Sequence, residues 1–291
     1  MPSYQPIEPA QAREIRAGLK ADCSQCFGLC CTALNLIASN DFAINKPAGV
    51  PCPNLQEDFR CSIHSKLRET GFKGCTVFDC LGAGQMIAQS TFGGQSWQKN
   101  PENAEKMFKA FPVMEQLFEM VAFVAEALSY ETTPLLQQEL TKHLEALQRL
   151  TTLSADELLN LDLSFYRGPV NELLIKASSE IRQRIGTYAA RQQGNRKLDQ
   201  RGADLMGKKL TRQDLRGTNF RGAFLIAADL RKSDLRGVDF IGTDMRDANL
   251  SGANLSTSLF LTQMQINSAK GDIEAQLPPH IERPFHWTVT Q

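Results

Sequence analysis

Past residue 80 this chain has no cysteine, and before residue 23 it has none. It carries no net charge, because 32 Lys and Arg balance 32 Asp and Glu, which excludes a global pull toward nucleic acid or an anionic membrane. No apolar run approaches the roughly 18–20 residues that span a bilayer. The opening MPSYQPIEPAQAREIRAGLK lacks the apolar core of an export signal. These absences point to the cytoplasm. In that reducing compartment clustered cysteines bind metal or do redox chemistry more often than they form disulfides. Paired carboxylates, a nucleophile–histidine constellation and a phosphate loop are also missing beside the cysteines. Gly82-Ala-Gly84 and Gly93-Gly94 carry no nucleotide fingerprint and read as turns. No catalytic residue is assigned, and the expectation is a protein without enzymatic activity.

What is present divides into four segments. A length of 291 residues suits two modest domains, or one domain with a repeat array attached. Residues 1–95 hold all the cysteines and most early turn signals, such as Lys46-Pro47, Pro51-Cys52-Pro53, Gly71 and Gly74. Long periodic runs are scarce there, so the segment reads as a loop-rich unit that needs a staple to fold. Residues 96–194 read as helical, 195–270 as a repeat array with a cap, and 271–291 as an extended tail.

In the helical segment, Asn100 and Pro101 predict a capped start. Phe108, Phe111, Met114, Leu117, Phe118, Val121, Val124 and Leu128 then follow at helical spacing. Thr133-Pro134 opens a second helix carrying Leu136, Leu140, Leu144, Leu147 and Leu150. Ser154 to Glu157 has the form of a capping box for a short third helix. Pro169 predicts the start of a fourth, with Val170, Leu173, Leu174, Ala177, Ile181 and Ile185 on one stripe. These stripes read as core. Gln192, Gln193 and Gly194 read as a linker or cap.

From Leu205 every fifth residue up to Phe260 is large and apolar, twelve positions in all, and Asp or Asn directly precedes nine of them. Small residues lie two positions before, as at Ala203, Ala223 and Ala253, and Gly often lies two positions after, as at Gly207 and Gly252. A period of five fits neither helix nor strand and marks a repeat architecture. Short sides meeting at sharp corners would point one large and one small residue inward, with Gly and Asx at the corners. Phe220, Phe240 and Phe260 fall twenty residues apart, so four sides make one coil. The segment resembles the pentapeptide-repeat family. That resemblance implies a right-handed quadrilateral β-helix of three coils, a β-solenoid. Thr262 to Ala269 would close it, with Met264, Ile266 and Ala269 on the last coil, because solenoids need caps. The stretch from Leu277 is similar to the tail of a subset of that family, which implies a natural terminus. Some family members mimic DNA with an acidic face. Here ten Lys and Arg face seven Asp across 201–260, which disfavours that role. Arg216 and Arg236 share a face near Arg231 and Lys232, but outward charge on a solvated face is the favoured reading over a nucleic-acid site. A protein partner is expected, with no membrane and no nucleic acid.

The chemistry belongs to the cysteines, spaced Cys23-x2-Cys26-x3-Cys30-Cys31 and then Cys52-x8-Cys61-x13-Cys75-x4-Cys80. A Cys-x2-Cys pair lets two thiolates converge on one metal from a tight turn. Thiolate-rich sites select zinc, or iron as an iron–sulfur cluster, and spacing alone does not decide between them. His64 is a candidate nitrogen ligand, although a lone histidine is more often structural. The opening cysteines, with Cys61-Ser-Ile-His64, Gly71-Phe-x2-Cys75 and Phe78-Asp-Cys80, resemble a family of zinc- or iron-chelating cysteine-cluster proteins. Many members carry Arg-Pro between the last two groups, where this chain has Leu67-Arg68-Glu69-Thr70. Catalytic zinc needs an open position and usually fewer sulfurs, and eight cysteines argue against it. They can fill two four-ligand sites, or one with spare thiols. The expectation is a metal-binding protein with an interaction scaffold. The alternative is an iron–sulfur protein with a redox, oxidant-sensing or catalytic role.

Overall fold

The structure is a computed structural model that describes residues 7–193 and 198–288. The chain packs as two compact units, residues 1–129 with 137–173, and residues 130–136 with 174–291. The expected helical segment 96–194 therefore contributes to both. No described helix is long and apolar enough to cross a membrane.

In the first unit, helix α1 (Pro9–Gly18) precedes the cysteine loops. These hold three short helices, α2 (Leu29–Ala33), α3 (Lys73–Val77) and α4 (Ala83–Gln85), the last continuing into a π-helical turn at Met86–Thr91. Helix α5 (Pro101–Leu128) is the core element and packs against α1, α2, α4 and the short α7 (Ala155–Leu159). Its stripe from Phe111 to Leu128 is buried as expected. Asn100 stands at the start of α5, but its side chain makes no cap and instead donates to Gln95 Oε1 at 2.7 Å. Pro101 and the first-turn Glu102 supply the start signal instead. The capping box of α7 is present, with Ser154 N–H donating to Glu157 Oε2 at 2.8 Å.

Helix α6 (Pro134–Leu150) begins where Thr133-Pro134 predicts, with Leu136, Leu140, Leu144 and Leu147 buried. Helix α8 (Ser164–Gln193) starts five residues earlier than Pro169, which sits inside it. The reason is Asp162, whose carboxylate accepts from Ser164 N–H at 2.9 Å and Ser164 Oγ at 2.7 Å and so caps the earlier turn. Gln192 and Gln193 continue α8 rather than forming a linker. Gly194 lies outside the described residues.

The second unit contains the repeat array. Parallel bridges join Asp199 to Asn219, Asn219 to Asp239 and Asp239 to Leu259, and the same spacing of twenty recurs on the other sides. Each side is so short that the pairings are single bridges rather than extended strands. Inward-facing Phe220, Phe240 and Phe260 are buried in a column, with the first two rings 6.1 Å apart. The residue before each large position explains the Asp and Asn pattern. Its side-chain oxygen accepts the N–H two residues on, as Asp214 does from Arg216 at 3.1 Å, Asp239 from Ile241 at 2.9 Å and Asn254 from Ser256 at 3.1 Å. From Leu205 to Leu250 the residue two places after each large one has φ near +60°, whether Gly217 (68°) or Ala227 (54°).

Helix α9 (Gln263–Ser268) closes the stack through a Thr262–Gln265 capping box. Ile266 and Ala269 pack inward as expected, but Met264 is exposed. The Gln265 side chain donates to Phe240 O and Thr243 O, which turns the opposite face of this short helix outward. The tail departs from an extended surface run. Asn249 pairs with Lys270 and Asn254 with Gln276, so the coil continues with residues inserted. Trp287 is buried in the solenoid core and its indole donates to Ala269 O at 3.0 Å. A large ring with one N–H gains more from sealing an apolar coil end than from solvent exposure.

Candidate metal centre

All eight cysteines lie in the first unit as free thiols. Aromatic contacts fix their loops to α5. Phe27 meets Phe59, Phe59 meets Trp97, and Trp97 meets Phe108 on the helix, with ring centroids 5.3–5.7 Å apart. The Trp97 indole donates to Phe27 O at 2.7 Å, which places the turn after Cys26.

Backbone amides point at several of the sulfurs. Leu29 N–H donates to Cys26 Sγ at 3.4 Å, with Gly28 N–H beside it. The amides of Gly82 and Gly84 donate toward Cys80, and that of Ile63 toward Cys61. Left-handed Gly28 (φ 65°) and Gly82 (φ 102°) turn these amides inward. Cys26 Sγ also approaches Gly84 so closely that a Cβ there would stand 2.7 Å from it and 3.7 Å from Cys80 Sγ. Cys30 Sγ and Cys31 Sγ are 4.0 Å apart on α2.

Burial dominates the acidity of most of these thiols. It pushes Cys26 up to about 12, against the lowering donation of Leu29 N–H, and raises Cys80 and Cys61 in the same way. Cys75 is also pushed up to about 12 by burial, reinforced by Cys31, Cys52 and Cys61. Cys31 is the exception and is lowered, first by the hydrogen bond with Cys30 and then by the charge of Lys46, which together outweigh burial. Without a metal, Cys26, Cys61, Cys75 and Cys80 stay thiols at neutral pH. A bound metal reverses that, because a coordinating thiol is deprotonated outright.

Lys46 is the residue that sequence reasoning missed. It is 3% exposed, and its Nζ donates to the carbonyls of Thr32, Leu34, Pro47 and Val50 at 2.5–3.1 Å. Its charge interacts with Cys52, Cys31 and Cys30. In the sequence Lys46-Pro47 is only a turn signal, and nothing local marks the ammonium as buried. Gly84 was equally hidden, although a glycine two residues after both Cys26 and Cys80 is a legible sign of amides turned toward sulfur.

The donor atoms are of the type that a thiophilic metal takes. They are sulfurs with inward amide donors, and Gly84 leaves the space that two of them share. Among the described residues, no three His, Cys, Asp or Glu side chains stand as a ready ligand set. His64 is exposed at the start of a 3-10 turn, His64–Lys66, after Cys61.

A family model for pentapeptide repeats matches eight copies, over residues 201–231 and 225–260, so the array is made of pentapeptide repeats. The chain belongs to the same family as the uncharacterized protein YybG of Bacillus subtilis (strain 168), to which it is 51% identical over 273 residues, 94% of this chain and 96% of that protein. Among solved structures it is similar to HetL, a pentapeptide repeat protein involved in heterocyst differentiation regulation from Nostoc sp. strain PCC 7120. The identity is 27% over 28% of this chain and 46% of HetL, with a TM-score of 0.13. A pentapeptide repeat protein from the Arabidopsis thaliana thylakoid lumen matches at 26% identity over 28% of this chain and 58% of its own, with a TM-score of 0.09. The chain spans about half the length of these two structures.

Proposed function

We propose that the chain is a non-enzymatic, cytoplasmic metal-binding protein. Its cysteine unit holds zinc or iron, and its pentapeptide-repeat array offers a surface to a protein partner. The observation that carries this reading is the set of free thiols in one unit, several of them facing inward backbone amides and a buried lysine. Amide-to-sulfur hydrogen bonds and a nearby buried cation are what a group of thiolates needs to persist away from water. The array's charges favour a protein partner over nucleic acid. Arg216, Arg231, Arg236 and Arg246 each clasp an Asp within 2.6–2.7 Å, so the basic face is largely neutralised.

The alternative is an iron–sulfur centre with a redox, oxidant-sensing or catalytic role, since the same amide donors tune cluster potentials. Anaerobic purification separates the two. A colourless protein with stoichiometric zinc supports the first reading. A brown protein containing iron and sulfide supports the alternative. A metal-free chain with a native fold sinks both.

A further inference from the structure

Resting on the reading that the array offers a surface to a protein partner, we propose that the first coil is the docking edge. An extended, acidic segment of the partner adds a strand beside Asp204 and Lys209, with its apolar residues against Leu205 and Leu210.

The two ends of the coil stack differ. At the far end Asp239 pairs with Leu259, Asn249 with Lys270 and Asn254 with Gln276, and Ile266, Ala275 and Trp287 fill the core beyond them. At the near end the bridges to the next coil run through Ala203 O and Leu205 N–H, and through Lys208 O and Leu210 N–H, at 2.8–2.9 Å. The N–H and C=O groups of Asp204 and Lys209 therefore point away from the stack, and among the described residues no backbone group meets them. Leu205 and Leu210 are only partly buried, although every large residue from Leu215 to Phe260 is buried. A row of unpaired backbone groups beside uncovered apolar side chains is a template for another strand.

The same rim breaks the sequence rule of the array. Lys209 and Phe224 stand where Asp or Asn otherwise precedes the large residue, and neither side chain can accept the N–H that closes the corner. Leu259, the third exception, is buried at the closed end. Lys209 and Phe224 are exposed, Phe224 on the rung above Asp204, and Met206 is exposed two residues further on. Two corners thus give up a hydrogen bond and present an ammonium and an aromatic ring at the open edge.

Charge selects the occupant. Arg216, Arg231, Arg236 and Arg246 are each tied to an Asp, but Lys208, Lys209 and Arg212 have no acid within ion-pair distance among the described residues. Two copies meeting edge to edge would bring these cations together, which disfavours a second copy of the chain. A nucleic acid would suit the cations but has no peptide groups to pair with the edge. An acidic strand satisfies both.

Amide hydrogen exchange of the full-length chain, read by NMR, tests this with a capped peptide alternating valine and glutamate. The Asp204 and Lys209 amides should exchange freely in the chain alone and be protected by the peptide, whereas a valine–lysine peptide should protect neither. Lys208→Glu with Lys209→Glu should weaken binding by about tenfold, and both residues are exposed, so the fold should survive. Protection confined to other sides of the array would overturn the docking edge and leave the partner reading standing. No protection anywhere in the array, with peptide in excess, would count against both. Protection that appears without peptide as the chain is concentrated would give the edge to a second copy. A single-stranded DNA oligonucleotide that displaces the peptide would give it to nucleic acid, and either result overturns the proposal.

Discussion

Gly84 makes room for the Cys26 sulfur, which lies 2.7 Å from where a Cβ on residue 84 would stand. This is steric space rather than backbone freedom, since Gly84 is not among the residues with positive φ. Gly84→Ala should therefore displace Cys26 or Cys80 and lower the metal content of the purified protein, because misplaced ligands cost metal affinity. Gly168→Ala is the control, because a Cβ there meets nothing within 4 Å. Elemental analysis of both variants decides the point, and unchanged metal in Gly84→Ala would count against the site.

The solenoid predicts opposite effects for two changes. Phe240 is fully buried between its neighbours twenty residues away, so Phe240→Ala should cost about 3–5 kcal/mol. Ala227 is exposed with φ at 54°, a conformation that glycine adopts freely. Ala227→Gly should therefore stabilise the unit by about 0.5–1 kcal/mol. Denaturant melts of the two variants check both signs.

That pair shows what could be read from the chain and what could not. The large residue of every five and the Phe column already give the coil length, because each coil repeats the same surroundings. The corners were only partly legible. Six of the ten positions with positive φ between 207 and 252 are glycine, but Arg212, Ala227, Lys232 and Asp247 adopt the same conformation unmarked. Trp287 was hidden for another reason. Its burial depends on where the tail turns, which no period records. In the cysteine unit the spacing suggests ligands but does not show which sulfurs meet, as Cys30 and Cys31 do at 4.0 Å and Cys26 and Cys80 do over Gly84. Lys46 lies six residues from Cys52 and fifteen from Cys31 along the chain, and was visible only as a turn.

In the first unit Arg16 and Glu126 form a buried ion pair at 3.7 Å, with side chains 6% and 3% exposed. Removing one partner leaves a charge in a poorly solvated site. Arg16→Met should cost about 3–5 kcal/mol, and the double variant Arg16→Met with Glu126→Leu should recover much of the loss. A double-mutant cycle by chemical denaturation measures that coupling, and additive losses would mean the pair does not interact.

Glu115 gives a pH dependence with a defined sign. Burial, and then the charge of Glu119, pushes its carboxyl up to about 7. The folded chain holds this proton more tightly than the unfolded chain does. The contribution is fully present below the ordinary glutamate range and is lost as pH rises through about 7. Glu115→Gln should therefore melt higher than wild type at pH 8 and at about the same temperature at pH 4. Parallel thermal melts across that range would show a constant offset if the group titrates normally.

The central claim is that the thiols of the first unit hold metal, and native mass spectrometry of the anaerobically purified full-length chain tests it most directly. The prediction is a mass raised by bound metal, with the cysteines that ligate it unreactive to thiol reagents until a chelator is added. A chain at its bare mass, whose cysteines react freely while it keeps its native fold, would contradict it.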